Sequence, residues 1–193
     1  MTWRRAMLAA LLVCASAWSA PQTWDVDQLM KMLAGQAGGQ VRFTEHKFIA
    51  ILDRPVVSTG EMQFIPPHRL LRRTETPVAE TMVLDGDTIE IRREGRELQL
   101  RLHDYPEAVA FIDSIRALLA GNRGALERNF ALFLSGDASE WTLNLLPNDT
   151  RLADLVHRIH IRGNGKQVRS IEILQADGDR SLMQFQPIEG KTP

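Results

Sequence analysis

Apolar and polar residues alternate with a period of two over much of this chain. Val41 and Phe43 alternate with Arg42 and Thr44, and Gly60, Met62 and Phe64 with Glu61 and Gln63. Ile89 and Ile91 alternate with Thr88 and Glu90, and Leu98, Leu100 and Leu102 with Glu97, Gln99 and Arg101. The same beat returns at Trp141, Leu143 and Leu145, at Ile159 and Ile161, at Ile171 and Ile173, and at Met183 and Phe185. Successive side chains of a strand point to opposite faces, so this rhythm predicts antiparallel strands with one apolar and one polar face. Turn signals fall between them, at Asp85-Gly86, Glu94-Gly95, Asn164-Gly165 and Asp177-Gly178.

Two stretches break the rhythm. Val26, Leu29, Met30 and Leu33 stand at helical spacing, with Asp25 and Gln28 placed as a capping box and Gly35 and Gly38-Gly39 as the stop. Val109, Ile112, Ile115, Leu118 and Leu119 form a second stripe, entered through Asp104, Pro106 and Glu107 and ended by Gly121. A short third helix is expected to set Leu126 against Phe130. The fold class is therefore α+β. It is a mainly antiparallel, strongly curved open half-barrel covered by two or three helices. A filled core satisfies that pattern, and so does an apolar cavity beneath a helical lid.

The first residues read differently. Arg4 and Arg5 precede an uncharged run from Ala6 to Ala17, with small residues before Pro21. This is the pattern of a cleavable secretory signal peptide, residues 1–19, and the run is shorter than the ~20 residues a spanning helix needs. A lipoprotein signal at Cys14 is disfavoured, because Val13 stands where such signals carry a small residue. Cys14 is the single cysteine, so cleavage leaves a chain without thiols. An exported, cysteine-free chain points to the periplasm. Residues 20–189 are read as one domain and 190–193 as a frayed tail.

Composition narrows the function. Of 193 residues, 44% are hydrophobic and 24% charged, and the net charge is −1. That balance speaks for a globular chain and against a nucleic-acid binder. Nucleophile elbows, phosphate loops, dinucleotide fingerprints and zinc-protease motifs are all missing from the sequence. His157 and His160 are the one close histidine pair, and three positions apart on a strand they face opposite ways. Neither a catalytic residue nor a metal or other cofactor is expected. Arg69, Arg72 and Arg73 cluster beside Pro66-Pro67. They read as a solvated strand end or as a contact for an anionic headgroup or partner.

Phe43-Thr-Glu45, Gly60-Glu-Met-Gln-Phe64, Pro67, Leu70-Leu71, Pro77 and Asp85-Gly86 follow one another in a familiar order. Ile112 to Leu119, Phe130, Trp141 to Leu145 before Pro147 and the Asp177-Gly178 turn continue it. The chain resembles the outer-membrane lipoprotein carrier (LolA-like) family, as a divergent paralogue. Glu45 stands where that family has Gln, Pro66 where it has the Arg of its cavity mouth, and Arg72 where it has Trp.

The resemblance implies a periplasmic carrier. Such a protein holds the acyl chains of a lipoprotein or other lipid in an apolar cavity and moves them from an inner-membrane donor towards an outer-membrane acceptor. It implies a monomer without enzymatic activity. A lipid-sensing or interaction protein on the same half-barrel is the alternative. The cavity and lid residues expected are Leu29, Met30, Leu33, Phe43, Met62, Phe64, Leu98, Leu100, Ile112, Ile115, Trp141 and Leu143. Pro66, Arg69 and Arg72 are expected at the mouth. The leader generates the first prediction: expressed in a Gram-negative host, the protein fractionates with the soluble periplasm and begins near Trp18 or Ala20. Mass determination of the intact exported chain checks this.

Overall fold

The computed structural model describes residues 24–34 and 38–188. The expected leader, the tail and Gly35 lie outside them. Helix α1 (Val26–Ala34) opens the fold, followed by strands β1 (Gly39–Phe48), β2 (Val56–Ile65), β3 (Arg69–Thr76), β4 (Glu80–Asp85), β5 (Thr88–Arg93) and β6 (Arg96–Arg101). A 3-10 turn (Leu102–Asp104) leads into α2 (Pro106–Leu119) and α3 (Arg123–Glu127). Then come β7 (Phe130–Gly136), β8 (Trp141–Pro147), α4 (Thr150–Ala153), β9 (Val156–Asn164), β10 (Gln167–Gln175) and β11 (Arg180–Pro187).

All the strands join one antiparallel sheet of eleven, in the order β6-β5-β4-β3-β2-β1-β11-β10-β9-β8-β7. The sheet is curved and open, with β6 and β7 as its two edges. Its centre is the pairing of β1 with β11, Phe43 opposite Phe185 and Glu45 opposite Met183. The first and last strands therefore meet in the middle, and two nearly sequential meanders spread outward from them. Edge strand β6 carries Arg96, Glu97, Gln99 and Arg101, charged and polar groups that discourage pairing with a further strand.

Register identifies the concave face. Met62 faces Val41 and Arg72, and Phe64 faces Gly39 and Leu70. On the other half Leu143 faces Ile161 and Leu134, and Trp141 faces Gly163. The helices pack on this second half. Leu29, Met30 and Leu33 of α1, Leu118 of α2, Leu126 of α3 and Leu152 of α4 close over Trp141, Leu143, Leu145, Ile159 and Ile161. This is a dry, filled core.

Local chemistry holds the helices in place. The Gln28 backbone N–H donates to Asp25 Oδ1 at 2.9 Å, the N-cap foreseen for α1. Asp104 does not cap α2. It ends the 3-10 turn, and Tyr105 takes the cap position without a side-chain bond while Pro106 enters the first turn. Phe130 is fully buried but opens β7 rather than closing a helix, because α3 stops at Glu127. Strands β4 and β7 and helix α4 were not foreseen, and β3 only as a strand end at Arg69 to Arg73. Arg69 to Arg73 obscures the alternation of β3, and α4 is a single turn capped by Asp149 at 2.9 Å.

Trp141 anchors the filled half. Its indole N–H donates to the Gly165 carbonyl at 2.8 Å. A Cβ built on Gly163 would stand 2.0 Å from Trp141 Cζ2, so only glycine lets the ring lie flat on β9. Gly163→Ala is predicted to lower stability by at least ~1–3 kcal/mol, the usual cost of overpacking. A lower urea midpoint with an unchanged m-value checks it.

Candidate functional site

The helices leave the other half of the concave face without a filled core. At the boundary lies a cavity of ≈ 600 Å³. Leu33, Ile115, Leu118 and Leu119 of α1 and α2 form its roof. Val41, Met62, Phe64, Leu70, Ile171 and Phe185 form its floor. Its size falls in the range of small-molecule sites, and its lining is mostly apolar. It opens at the end of the sheet where β1 begins, β2 ends and β11 ends.

The opening has defined walls. Pro66 lines it, and the chain entering β1 passes close by, since a Cβ on Gly38 would stand 2.8 Å from Pro66 Cδ. Lys166 and Arg169, at the β9–β10 turn, also line it. Among the described residues the lining contains no carboxylate; its other polar groups are mainly Gln40, Gln63, Gln167 and Gln186. Its two cationic residues, Lys166 and Arg169, are ones the sequence reading did not single out.

The roof is tethered to the sheet. Arg116 of α2 donates through Nη2 to the Gly86 carbonyl in the β4–β5 turn. In the same turn Asp87 accepts the His103 N–H at 2.9 Å and pairs with the His103 ring. The side-chain bond to His103 holds the Asp87 carboxyl below the usual carboxylate range. On the other side Asn129 Nδ2 donates to buried Ser114 Oγ at 3.2 Å, and Arg123 joins Asp27 of α1 at 2.9 Å. These bonds hold the turn before α2 and the C-terminal half of α2, and join α3 to α1.

The expected site residues divide into several groups. Leu33, Met62, Phe64, Ile115 and Pro66 line the cavity. Leu29, Met30, Trp141 and Leu143 belong to the filled core, beneath the helices but against no open space. Ile112 is half-buried on α2 and is not among the lining residues. Leu98 and Leu100 are a correction. They share the inner face as read, but β6 is an edge strand and neither is among the lining residues: Leu98 is 52% exposed and Leu100 half-buried. Val41, Leu70, Ile171 and Phe185 were missed as lining, although the alternation of β1, β10 and β11 carried the signal.

The arginine assignment is corrected too. Three positions apart on β3, Arg69 and Arg72 point to opposite faces. Arg69 is exposed and 3.8 Å from Asp85. Arg72 points inward. Its guanidinium lies 4.8 Å from the Phe43 ring centroid, and Nη2 donates to Glu45 Oε2 at 2.6 Å. Glu45 Oε1 accepts from Ser181 Oγ at 2.6 Å. Neither arginine lines the opening, and Phe43, only 2% exposed, lies beneath Arg72 rather than against the cavity. Glu45 and Arg72 are each other's partner.

An open, curved antiparallel sheet, filled on one half and hollow under two helices at the boundary, defines an α+β half-barrel of the lid-and-cavity kind. The chain belongs to the family described as outer membrane lipoprotein carrier protein LolA-like, which matches residues 18–185. An outer-membrane lipoprotein carrier protein of Leptothrix cholodnii is 27% identical over 94% of this chain and 83% of its own length. One from Aliivibrio fischeri is 23% identical over 98% and 90%. Similar solved structures include a LolA superfamily protein of Nitrosomonas europaea, with TM-score 0.48 and 8% identity over 89% of this chain and 96% of that one. Lipoprotein LppX of Mycobacterium tuberculosis gives TM-score 0.47 and 7% identity over 87% and 97%.

The ion pair yields a test of these placements. Removing one partner of a largely buried pair strands the other charge, so Arg72→Ala is predicted to cost about 1–3 kcal/mol. Arg69→Ala, which removes an exposed contact, is predicted to cost less than about 0.5 kcal/mol. Paired denaturant titrations compare the two.

Proposed function

We propose that this chain is a periplasmic carrier that shelters the acyl chains of a lipoprotein or another lipid and passes them from an inner-membrane donor towards an outer-membrane acceptor. The observation that carries the reading is the ≈ 600 Å³ cavity between α1, α2 and the concave face. Family membership supports it, because the curated relatives are lipoprotein carriers. Physics supports it as well. An acyl chain in water gains ~0.8 kcal/mol for each methylene it buries. About ten buried methylenes give ~8 kcal/mol, which corresponds to micromolar binding before ordering costs. That is tight enough to hold a chain and weak enough to release it.

Arg169 at the rim adds attraction for an anionic headgroup or an acidic partner surface. The carrier works as a monomer on this reading, since one chain supplies both roof and floor. It needs no cofactor, and binding and release involve no covalent step.

An environment-sensitive fatty probe is predicted to bind with micromolar affinity and to be displaced by long-chain lipids but not by short ones. Ile115→Asp in the roof and Phe64→Asp in the floor place a carboxylate in the cavity, and each should weaken probe binding at least about tenfold. Ile51→Asp, at a position 90% exposed in the β1–β2 loop, should leave binding unchanged. Probe titrations alongside thermal unfolding separate lost binding from lost fold. Absence of binding at high micromolar protein would overturn the reading.

A further inference from the structure

The concave face changes character along its strands. At the open end the cavity floor consists of Val41 on β1, Met62 on β2, Leu70 on β3 and Phe185 on β11. Two residues further along each strand stand Phe43, Gly60, Arg72 and Met183, and two beyond those Glu45, Ser58, Thr74 and Ser181, in a stagger that sets Arg72 opposite Met62, Phe185 opposite Phe43 and Met183 opposite Glu45. The apolar floor thus gives way to a polar one within about 13 Å of β1. The change is abrupt because the side chains are linked. Arg72 reaches from β3 over Phe43 to Glu45 on β1, and Glu45 accepts from Ser181 on β11. The result is a bar of hydrogen-bonded polar groups across the inner end of the floor. Met62, cross-strand partner of Arg72, and Phe185, partner of Phe43, are the last cavity residues before it.

We infer that the Arg72–Glu45–Ser181 bar is a polar stop that sets the length of acyl chain the cavity accepts. The inference rests on the carrier reading above. A methylene laid against the bar would strip water from two charged groups and return no hydrogen bond. Arg72 Nε is already buried with no hydrogen-bond partner among the described residues, so the pair has no reserve against further desolvation. A chain cannot readily turn sideways either. Across the strands, Leu84 is 3% exposed and Leu102 2%, so that part of the floor is covered. Along β1 the inner face passes from the lining residue Val41 to Phe43 and then Glu45, neither of which lines the cavity, so the bar stands directly behind the last floor residues. Phe43 and Arg72 fill the space, while Glu45 supplies the charge that makes the filling polar.

The stop predicts how affinity depends on chain length. Saturated fatty acids from decanoate to eicosanoate compete with the fluorescent probe on the full chain. Affinity rises roughly fourfold per methylene while the added carbons find apolar floor, then levels off at the length that reaches the bar. Replacing both partners together, Glu45→Leu with Arg72→Leu, avoids stranding a charge. It is expected to leave the shortest chains unchanged and to move the break to chains at least two carbons longer. If that variant does not fold, Glu45→Met with Arg72→Met keeps side-chain length, removes both charges and carries the same expectation. Binding that breaks at the same length in wild type and variant overturns the stop and leaves the carrier reading standing. Failure of the wild type to bind any member of the series overturns the carrier reading itself.

Discussion

One constraint shapes this molecule: an eleven-stranded open sheet has more apolar concave surface than its short helices can cover. A sheet with one greasy face must bury it against something. Here α1, α2, α3 and α4 crowd over β7, β8 and β9 and complete a core that excludes solvent around Trp141. Nothing of that density is left for β1, β2 and β3. Their inner residues Val41, Met62, Phe64 and Leu70 stay half-buried. The cavity is the boundary between covered and uncovered sheet. Its roof residues Leu33 and Leu118 belong to the core and the cavity at once. Roof position is therefore coupled to core packing, and the tethers at Gly86, Asp87 and Asn129 limit how far α2 can lift.

Much of the strand pattern could be read from the sequence because each half-buried strand repeats the same inside-outside choice. Trp141, Leu143 and Leu145 alternate cleanly since one face meets a core and the other meets water. The same logic failed at β3. Arg72 occupies an inward position, and a charged residue there hides the alternation of Leu70 and Thr74. It also made Arg69, Arg72 and Arg73 look like one exposed cluster, although Arg72 faces away from the other two. The face rule that separated His157 from His160 would have separated Arg69 from Arg72.

The site was less legible for a different reason. Its floor is assembled at the junction of β1 with β11, strands from opposite ends of the chain, and no local pattern announces that pairing. Met62 and Phe64 were accessible to sequence reasoning because they lie beside each other in one strand. Alternation gave Phe185 and Ile171 an apolar face, but their place beside Val41 exists only once the meanders meet. Leu98 shows the converse error. Its face was assigned correctly, but burial depends on what lies above a face, and at the β6 edge Leu98 stays exposed. Whether Trp141 would touch core or cavity was equally a question of helix placement.

The Glu45–Arg72 pair shows how two charges on one face are understood together. Taken singly, Glu45 and Arg72 each place a charge on an apolar concave face, which is costly. Taken together they neutralise one another at 2.6 Å, with Phe43 stacked beneath the guanidinium and Ser181 on the second carboxylate oxygen. Such a pair contributes little net stability compared with apolar residues of similar volume. Stability alone therefore gives weak reason to put it there. What the pair does provide is a sharp chemical edge on a surface that would otherwise be uniformly accommodating. A hydrocarbon site has few means of discriminating among chains, because each added methylene simply adds its increment. An edge of paired charges ends that series at a fixed place, through groups that need not touch a chain until it is too long.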